Sequence, residues 1–535
     1  MRYLARFQVE TLTPLSIGSG RSGLLNQRLV AKDANGLPHI PGTSLAGVVR
    51  HTLKTNLEEE SIEAIFGFQR DKSEEGQGSR ILFSSGHLLA VDGKTVLEGL
   101  QKVDFSHAYY KNFKHLPERD HVRINHRGVA DKTGKFEEEL VNKGTRFVFE
   151  IELEGHAVDA EIWQQILDVL NSPQFRIGAG TRKGFGQFKV CHCYTRQFDL
   201  SKEADFTAYL HKSSSLNAQD TKDWSKYTKE TFEHGLFPFH RTLVARDFFL
   251  FGAGIGSSRA DQMPKKEEVF EWTDQGVKLS EYYLLPATSI KGAIAHRVAY
   301  HYNRLNHTNI EQLLAKSKEK QLGFDVETAL QAKDYQLPYP LEQLDYPSNS
   351  PEWQRLEAEI NSWSMDDNAT WQQYLQELNT NALETAQWPV GEKNNAVKTL
   401  FGSGKNSPNT NKKNNNQVDL AEKEDKGARG KVLFSDFYLA EAKVSTKVFN
   451  HVALDRFTGG ARDGALFTEE LSASKAEIKI KLFVEPSAFA DDPLVKEAWE
   501  AALADLDSGQ LQLGGSSNKG HGVFQKKMEA VNSKA

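Results

Sequence analysis

The strongest constraint on this 535-residue chain is an internal duplication. PHIPGTSLAGVVRHTL begins at Pro38 and YLLPATSIKGAIAHRV at Tyr283, so Pro41, Ser44 and Gly47 recur 245 residues later as Pro286, Ser289 and Gly292. IFGF at Ile65 and LFGS at Leu400 come next, each followed by a strand that opens on a basic residue, RILFSSGHLL and KVLFSDFYLA. HVRINHRGVADKTGKFEEEL then matches HVALDRFTGGARDGALFTEEL, pairing Phe136 with Phe467 and Leu140 with Leu471. Last, RIGAGTRKGFGQF matches QLGGSSNKGHGVF, with Gly178, Lys183, Gly184 and Gly186 each 336 residues before Gly514, Lys519, Gly520 and Gly522. Four collinear matches make two copies of one fold: a first domain over 1–197, a linker over 198–239 and a second domain over 240–535.

The offset widens between the first two matches, so the second copy carries an insertion at about 303–430. Its first part, 303–395, is rich in Leu, Glu, Gln and Trp with helical spacing and cap residues, as in SPEWQRLEAEINSW, and reads as a helical subdomain. The Asn/Lys-rich stretch after it has little to bury and reads as a flexible loop.

Within each copy an alternating strand (YLARFQVETLTPL, HRTLVARDFFLFGAG) leads into a Gly-rich turn and a Pro-bounded helix. Thr43-Ser44 and Thr288-Ser289 are the N-cap candidates of those helices. Further strands, a long hairpin-like region, a cleanly alternating strand (RFVFEIELEG, AEIKIKLFVEP), a helix and a closing strand complete the copy. The order β–α–β–β–α–β is the split βαβ arrangement. It predicts an α+β protein of two ferredoxin-like (RRM-like) domains in tandem, each an antiparallel sheet with helices on one face.

Composition removes several classes. A net charge of −6 excludes a wholly basic nucleic-acid sponge, so nucleic-acid binding has to come from local patches. Two cysteines, Cys191 and Cys193, cannot build a disulfide framework and fit a reducing cytoplasm. As a zinc site CxC lacks the four-ligand spacing, which favours solvated strand residues. The N-terminus alternates like a strand rather than a signal peptide, and no apolar run reaches the ~20 residues that cross a bilayer.

Two motif pairs carry candidate chemistry. Arg182 and Lys183 sit at the tip of the first terminal Gly-rich loop, with Lys519 at the matching place in the second. Backbone N–H groups and cations at such a turn suit a phosphate, while a tight connection needing glycine for sterics alone is the plain alternative. The helix entries offer Ser44 with Arg50, and Ser289 with Lys291 and Arg297, where a helix N-terminus favours an anion. Capping is the plainer account of Ser44 and Ser289, and solvation is the alternative for Arg50 and Arg297.

In this combination (an early GxG turn, PxxS[LI]xG opening a helix, a later LFxxEL-type segment and a terminal Gly-rich loop) the chain resembles the RAMP (repeat-associated mysterious protein) superfamily. More narrowly it is similar to the backbone subunits of type III CRISPR–Cas effector complexes, with two subunits fused as in the multi-domain effectors of subtype III-D or a related subtype. That resemblance implies a cytoplasmic protein whose partners are a crRNA guide, target RNA, neighbouring backbone subunits and the large subunit. It implies thumb hairpins at about 104–135 and 441–466, in which Arg123, His126, Arg127, Arg456 and Arg462 would meet RNA, and it adds Arg21 and Arg259 in the GxG loops. It also implies endoribonuclease activity on target RNA through an aspartate in the loop before the PxxS helix. The second copy has Asp261 there, and the first has Leu24, Leu25, Asn26 and Gln27. A divalent ion (Mg or Mn) held by Asp261 is the implied cofactor. A non-catalytic scaffold and a guide-precursor-processing ribonuclease are the alternatives.

Overall fold

The computed structural model describes residues 1–22, 28–54, 57–70, 75–124, 129–172, 174–217, 223–228, 235–306, 391–404 and 427–527. These form two compact units: Met1–Ile294 with Gly430–Ser487 and Ala504–Ala535, and Ala295–Arg429 with Ala488–Leu503.

Both sheets of the duplication lie in the larger unit. In the first copy the strand Arg2–Thr11 runs antiparallel between Arg146–Glu154 and Phe188–Phe198, and Ile81–Phe83 pairs on the far side of Arg146–Glu154. By order of appearance the strands are arranged fourth, first, third, second, as in a ferredoxin-like sheet. Alternation sends Phe7, Val9, Phe149 and Ile151 to the core, where the rings of Phe7 and Phe149 stack at 5.1 Å. Helix Gly42–Leu53 buries Leu45, Val49 and Leu53, and helix Ala160–Asn171 buries Trp163, Ile166, Leu167 and Leu170, each a one-sided stripe at helical spacing.

The second copy repeats the order with shorter strands. Arg241–Ala245 lies between Ile478–Ile480 and Phe524–Lys526, while Val432–Phe434 pairs with Leu482–Val484. Its third strand is thus broken at Lys481. A hairpin not foreseen from sequence, Lys266–Thr273 with Gly276–Leu285, separates the loop carrying Asp261 from the PxxS helix, Ala287–Leu305.

Each copy raises a long hairpin from its sheet: Glu118–Ile124 with Ala130–Glu139, and Ser445–Leu454 with Ala461–Ala473. The first lies later in the chain than expected. The preceding 104–117 segment instead folds into helix Ala108–Lys114, which buries Tyr109 and Phe113. Exposed apolar side chains stud both hairpins, among them Val122, Ile124, Leu454 and Phe457, the last 99% exposed at the second tip.

Two further expectations change, and the linker carries one short helix. Neither helix is capped by its serine. Pro41 precedes Gly42–Leu53 without a side-chain cap, and the Ala287 N–H donates to Asp436 Oδ1 at 2.7 Å, a cap supplied from 149 residues away. Cys193 is buried, and burial pushes its thiol up to about 12, whereas Cys191 sits at a β-bulge opposite Gln8 and Val9. The segment 198–239 includes helix Glu203–Leu210, and Trp224 packs with Leu4 and Phe198 of the first sheet.

The smaller unit is described only in part. There Asn394 Oδ1 accepts from the Val397 N–H, capping helix Asn395–Phe401, and its Nδ2 donates to Asn303 Oδ1 at 2.9 Å. The helical subdomain over 303–395 and the Asn/Lys-rich loop fall almost wholly outside the described residues. Among the described residues no helix is long and apolar enough to cross a membrane.

Candidate nucleic-acid interface and cleavage site

The glycine loops owe their glycines to backbone geometry. Gly186 and Gly522 occupy the same place with φ of +76° and +78°. A Cβ there would come within 1.9 Å of the Ile177 carbonyl oxygen and 2.3 Å of that of Leu513. Only glycine fits such a turn, so the recurrence of the glycines by itself says nothing about a ligand.

The lysines at the loop tips tell more. Lys183 Nζ lies 3.1 Å from Glu138 Oε1 and Lys519 Nζ 2.8 Å from Glu469 Oε2. Both glutamates stand on the returning hairpin strand and are almost fully buried. Two strand positions away on the same face, Phe136 faces His121 across the first hairpin, and Phe467 faces His451 across the second. Each histidine ring stacks on its phenylalanine with centroids 4.9 Å apart, and each ammonium lies over that phenylalanine at 4.3 and 4.2 Å. His121 Nε2 is 3.3 Å from Glu138, and His451 Nε2 is 2.9 Å from Glu469. Burial opposes ionisation of Glu138, but the His121 ring and the Lys183 ammonium outweigh it and hold the carboxyl at about 2. A His–Glu–Lys–Phe clasp thus fastens each hairpin to its glycine loop. The reading from sequence missed it because a glutamate on an alternating polar strand looks solvated.

The first copy's loop also forms a joint with the second copy. A Cβ on Gly184 would come within 2.5 Å of Ala287 Cβ, at the start of the PxxS helix. Arg119, 3% exposed, donates to both oxygens of Glu267 at 2.8 and 2.6 Å and to Asp436 Oδ2 at 2.8 Å. Arg176 donates to Ser435 Oγ at 2.8 Å, and Arg182 pairs with Glu485. The joint brings Lys291 close to Lys183 and Arg182. Burial, then those two like charges, lower its amine to about 8.

The other proposed RNA contacts are scattered. Arg123, Arg259, Ser289, Arg456 and Arg462 are exposed and Ser44 is half-buried. Arg50 lies 3.8 Å from Glu59, and Arg297 stacks over Tyr300 at 4.8 Å. Arg21 is on the short strand Gly18–Ser22, while His126 and Arg127 lie outside the described residues.

Asp261 is exposed at the end of a tight loop. The Ser257 N–H donates to the Ala260 carbonyl, and the Ser257 hydroxyl accepts from the N–H groups of Arg259 and Ala260. Asp261 Oδ2 accepts from both the N–H (2.7 Å) and the hydroxyl (3.0 Å) of Thr468 on the second hairpin. Those two donors hold its carboxyl below the usual aspartate range. No group of three or more His, Cys, Asp or Glu side chains able to hold a metal occurs among the described residues. The protein groups beside Asp261 do not make a metal site on their own. In the first copy the matching stretch, Leu24 to Gln27, lies outside the described residues.

Fold and site together define a tandem of ferredoxin-like domains, each with a clasped hairpin and a terminal glycine loop. The family model of the RAMP superfamily matches residues 8–189 and 274–525, and the chain belongs to that superfamily. No curated protein matches it. Among solved structures, a chain in the cryo-EM structure of the Type III-B Cmr-beta bound to cognate target RNA is 17% identical with a TM-score of 0.26. The match covers 37% of this chain and 61% of that one.

Proposed function

We propose that this chain is a guide-RNA-binding backbone subunit of a type III CRISPR effector complex, working in the cytoplasm beside neighbouring backbone subunits and the large subunit. In this reading the second copy also cleaves target RNA paired with the guide. The observation that carries the binding part is the convergence of Arg182, Lys183 and Lys291 where the first glycine loop meets the second copy's helix. Lys291 is half-buried beside two cations that each already hold a carboxylate, Glu485 and Glu138, and an RNA phosphate would favour its charged form. Cleavage rests on Asp261. RNA scission needs the 2′-hydroxyl aligned with the scissile phosphate, and this exposed, ionised carboxylate can hold that hydroxyl. A divalent ion, Mg or Mn, belongs to the same proposal and would draw most of its ligands from RNA and water. Its test is loss of cleavage in a chelator with RNA binding retained.

The deciding experiment compares assembled complexes carrying wild-type chain or Asp261→Ala. The expected result is that one cut in the target disappears while guide and target binding persist. An unchanged cut pattern favours the non-catalytic scaffold, and a discrete cut of repeat RNA by the purified chain favours precursor processing.

A further inference from the structure

The clasp occurs in both copies, so it cannot be what sets the second copy apart. What differs is the residue beside it. Counting from the His–Phe pairs, Thr468 faces Asn450 in the second hairpin, and Glu137 faces Asp120 at the same place in the first. Glu137 is a carboxylate 3.1 Å from Lys135, and an aspartate brought against it would meet like charge. Thr468 instead makes three hydrogen bonds to Asp261. Its N–H and hydroxyl donate to Oδ2, and its Oγ1 accepts from the Asp261 N–H at 3.0 Å. The next residue is bound to the same strand, since the Gln262 N–H donates to the Thr468 carbonyl and the Glu470 N–H to the Gln262 carbonyl. Glu469, between Thr468 and Glu470, is the carboxylate that grips Lys519.

We propose that Thr468 is a positioning residue that fixes Asp261 through Oδ2 and leaves Oδ1 as the oxygen presented to RNA. The inference rests on the reading of Asp261 as the cleaving residue. It adds that the hairpin, not the loop alone, sets where that carboxylate stands. Two donors on one oxygen make the carboxylate a poor base, so Asp261 serves as a fixed anion that orients the 2′-hydroxyl rather than as the group that keeps its proton.

The test uses the full chain in assembled, guide-loaded complexes with Thr468→Val, Thr468→Ser and Asp261→Ala. Thr468→Val keeps the backbone donor and the shape but loses the hydroxyl. A lost hydrogen bond to a charged group predicts cleavage slower by about tenfold or more. Guide and target binding should be unchanged, and the acid limb of the pH–rate profile should move to higher pH as the carboxyl loses a donor. Thr468→Ser should restore rate and profile together. Thermal unfolding of both variants separates loss of fold from loss of position. Wild-type rate and acid limb in Thr468→Val, with Asp261→Ala inactive, overturn this proposal alone. Full cleavage by Asp261→Ala overturns the reading beneath it.

Discussion

Lys183 and Glu138 meet at 3.1 Å on a carboxylate that is 1% exposed, and Lys519 and Glu469 repeat the contact at 2.8 Å. The lysine that sequence offers to a phosphate is therefore already engaged by its own hairpin in both copies. Its first task is to hold two backbone segments together, and in the proposed function only part of its charge is left for RNA.

The acid limb of stability should report this clasp. The Glu138 carboxyl lies at about 2 when folded and near 4.3 in an unfolded chain. A depressed folded value means that the contribution is complete above about 4.3 and is lost as pH falls toward 2. Glu138→Gln should be less stable at neutral pH by about 1–3 kcal/mol and should lack this component of acid destabilisation. Equilibrium denaturation between pH 7 and pH 2.5 measures both.

Much of this arrangement was legible in the residues. The repeated Gly–Lys–Gly spacing placed the two loops, and the Phe136–Phe467 match aligned the two hairpin segments, although the expected bounds, 104–135 and 441–466, stopped short of both residues. Alternation in RFVFEIELEG gave a central strand. What sequence withheld was long-range: Glu138 reaches Lys183 across 45 residues and Asp436 caps a helix 149 residues earlier. No local propensity encodes such partners. The serine N-cap expectation failed for the same reason at the helix Ala287–Leu305, where Asp436 supplies the acceptor that a local hydroxyl ordinarily gives, while the helix Gly42–Leu53 follows Pro41 with no side-chain cap.

Gly184 and Gly520 hold the same loop position with φ of +106° and +88°, but only Gly184 faces another copy. Gly184→Ala combines backbone strain with overlap on Ala287 and should destabilise by about 2–4 kcal/mol. Gly520→Ala meets nothing within 4 Å and should cost only about 1 kcal/mol. Parallel urea titrations of the two variants provide the comparison, and equal losses would contradict the joint.

If Lys291 meets the guide as proposed, guide binding should depend on pH. With its amine lowered to about 8, the group is charged at pH 7 and increasingly neutral above pH 8, and phosphate binding favours the charged form. Guide affinity should therefore fall between pH 7 and pH 9.5, and Lys291→Met should flatten the fall. Fluorescence anisotropy with labelled guide RNA at fixed ionic strength reads this directly.

The joint has a consequence for the history of the duplication. Where Asp436 receives Arg119 and the Ala287 N–H, the sister position in the first half is Ser85, and the counterpart of Arg119 in the second half is Phe449. The halves began as twins but have become left and right hands of one clasp. Swapping either for a duplicate of the other would set serine where an acid is required or strand a buried carboxylate without its cation, so neither half can stand in for the other at this joint.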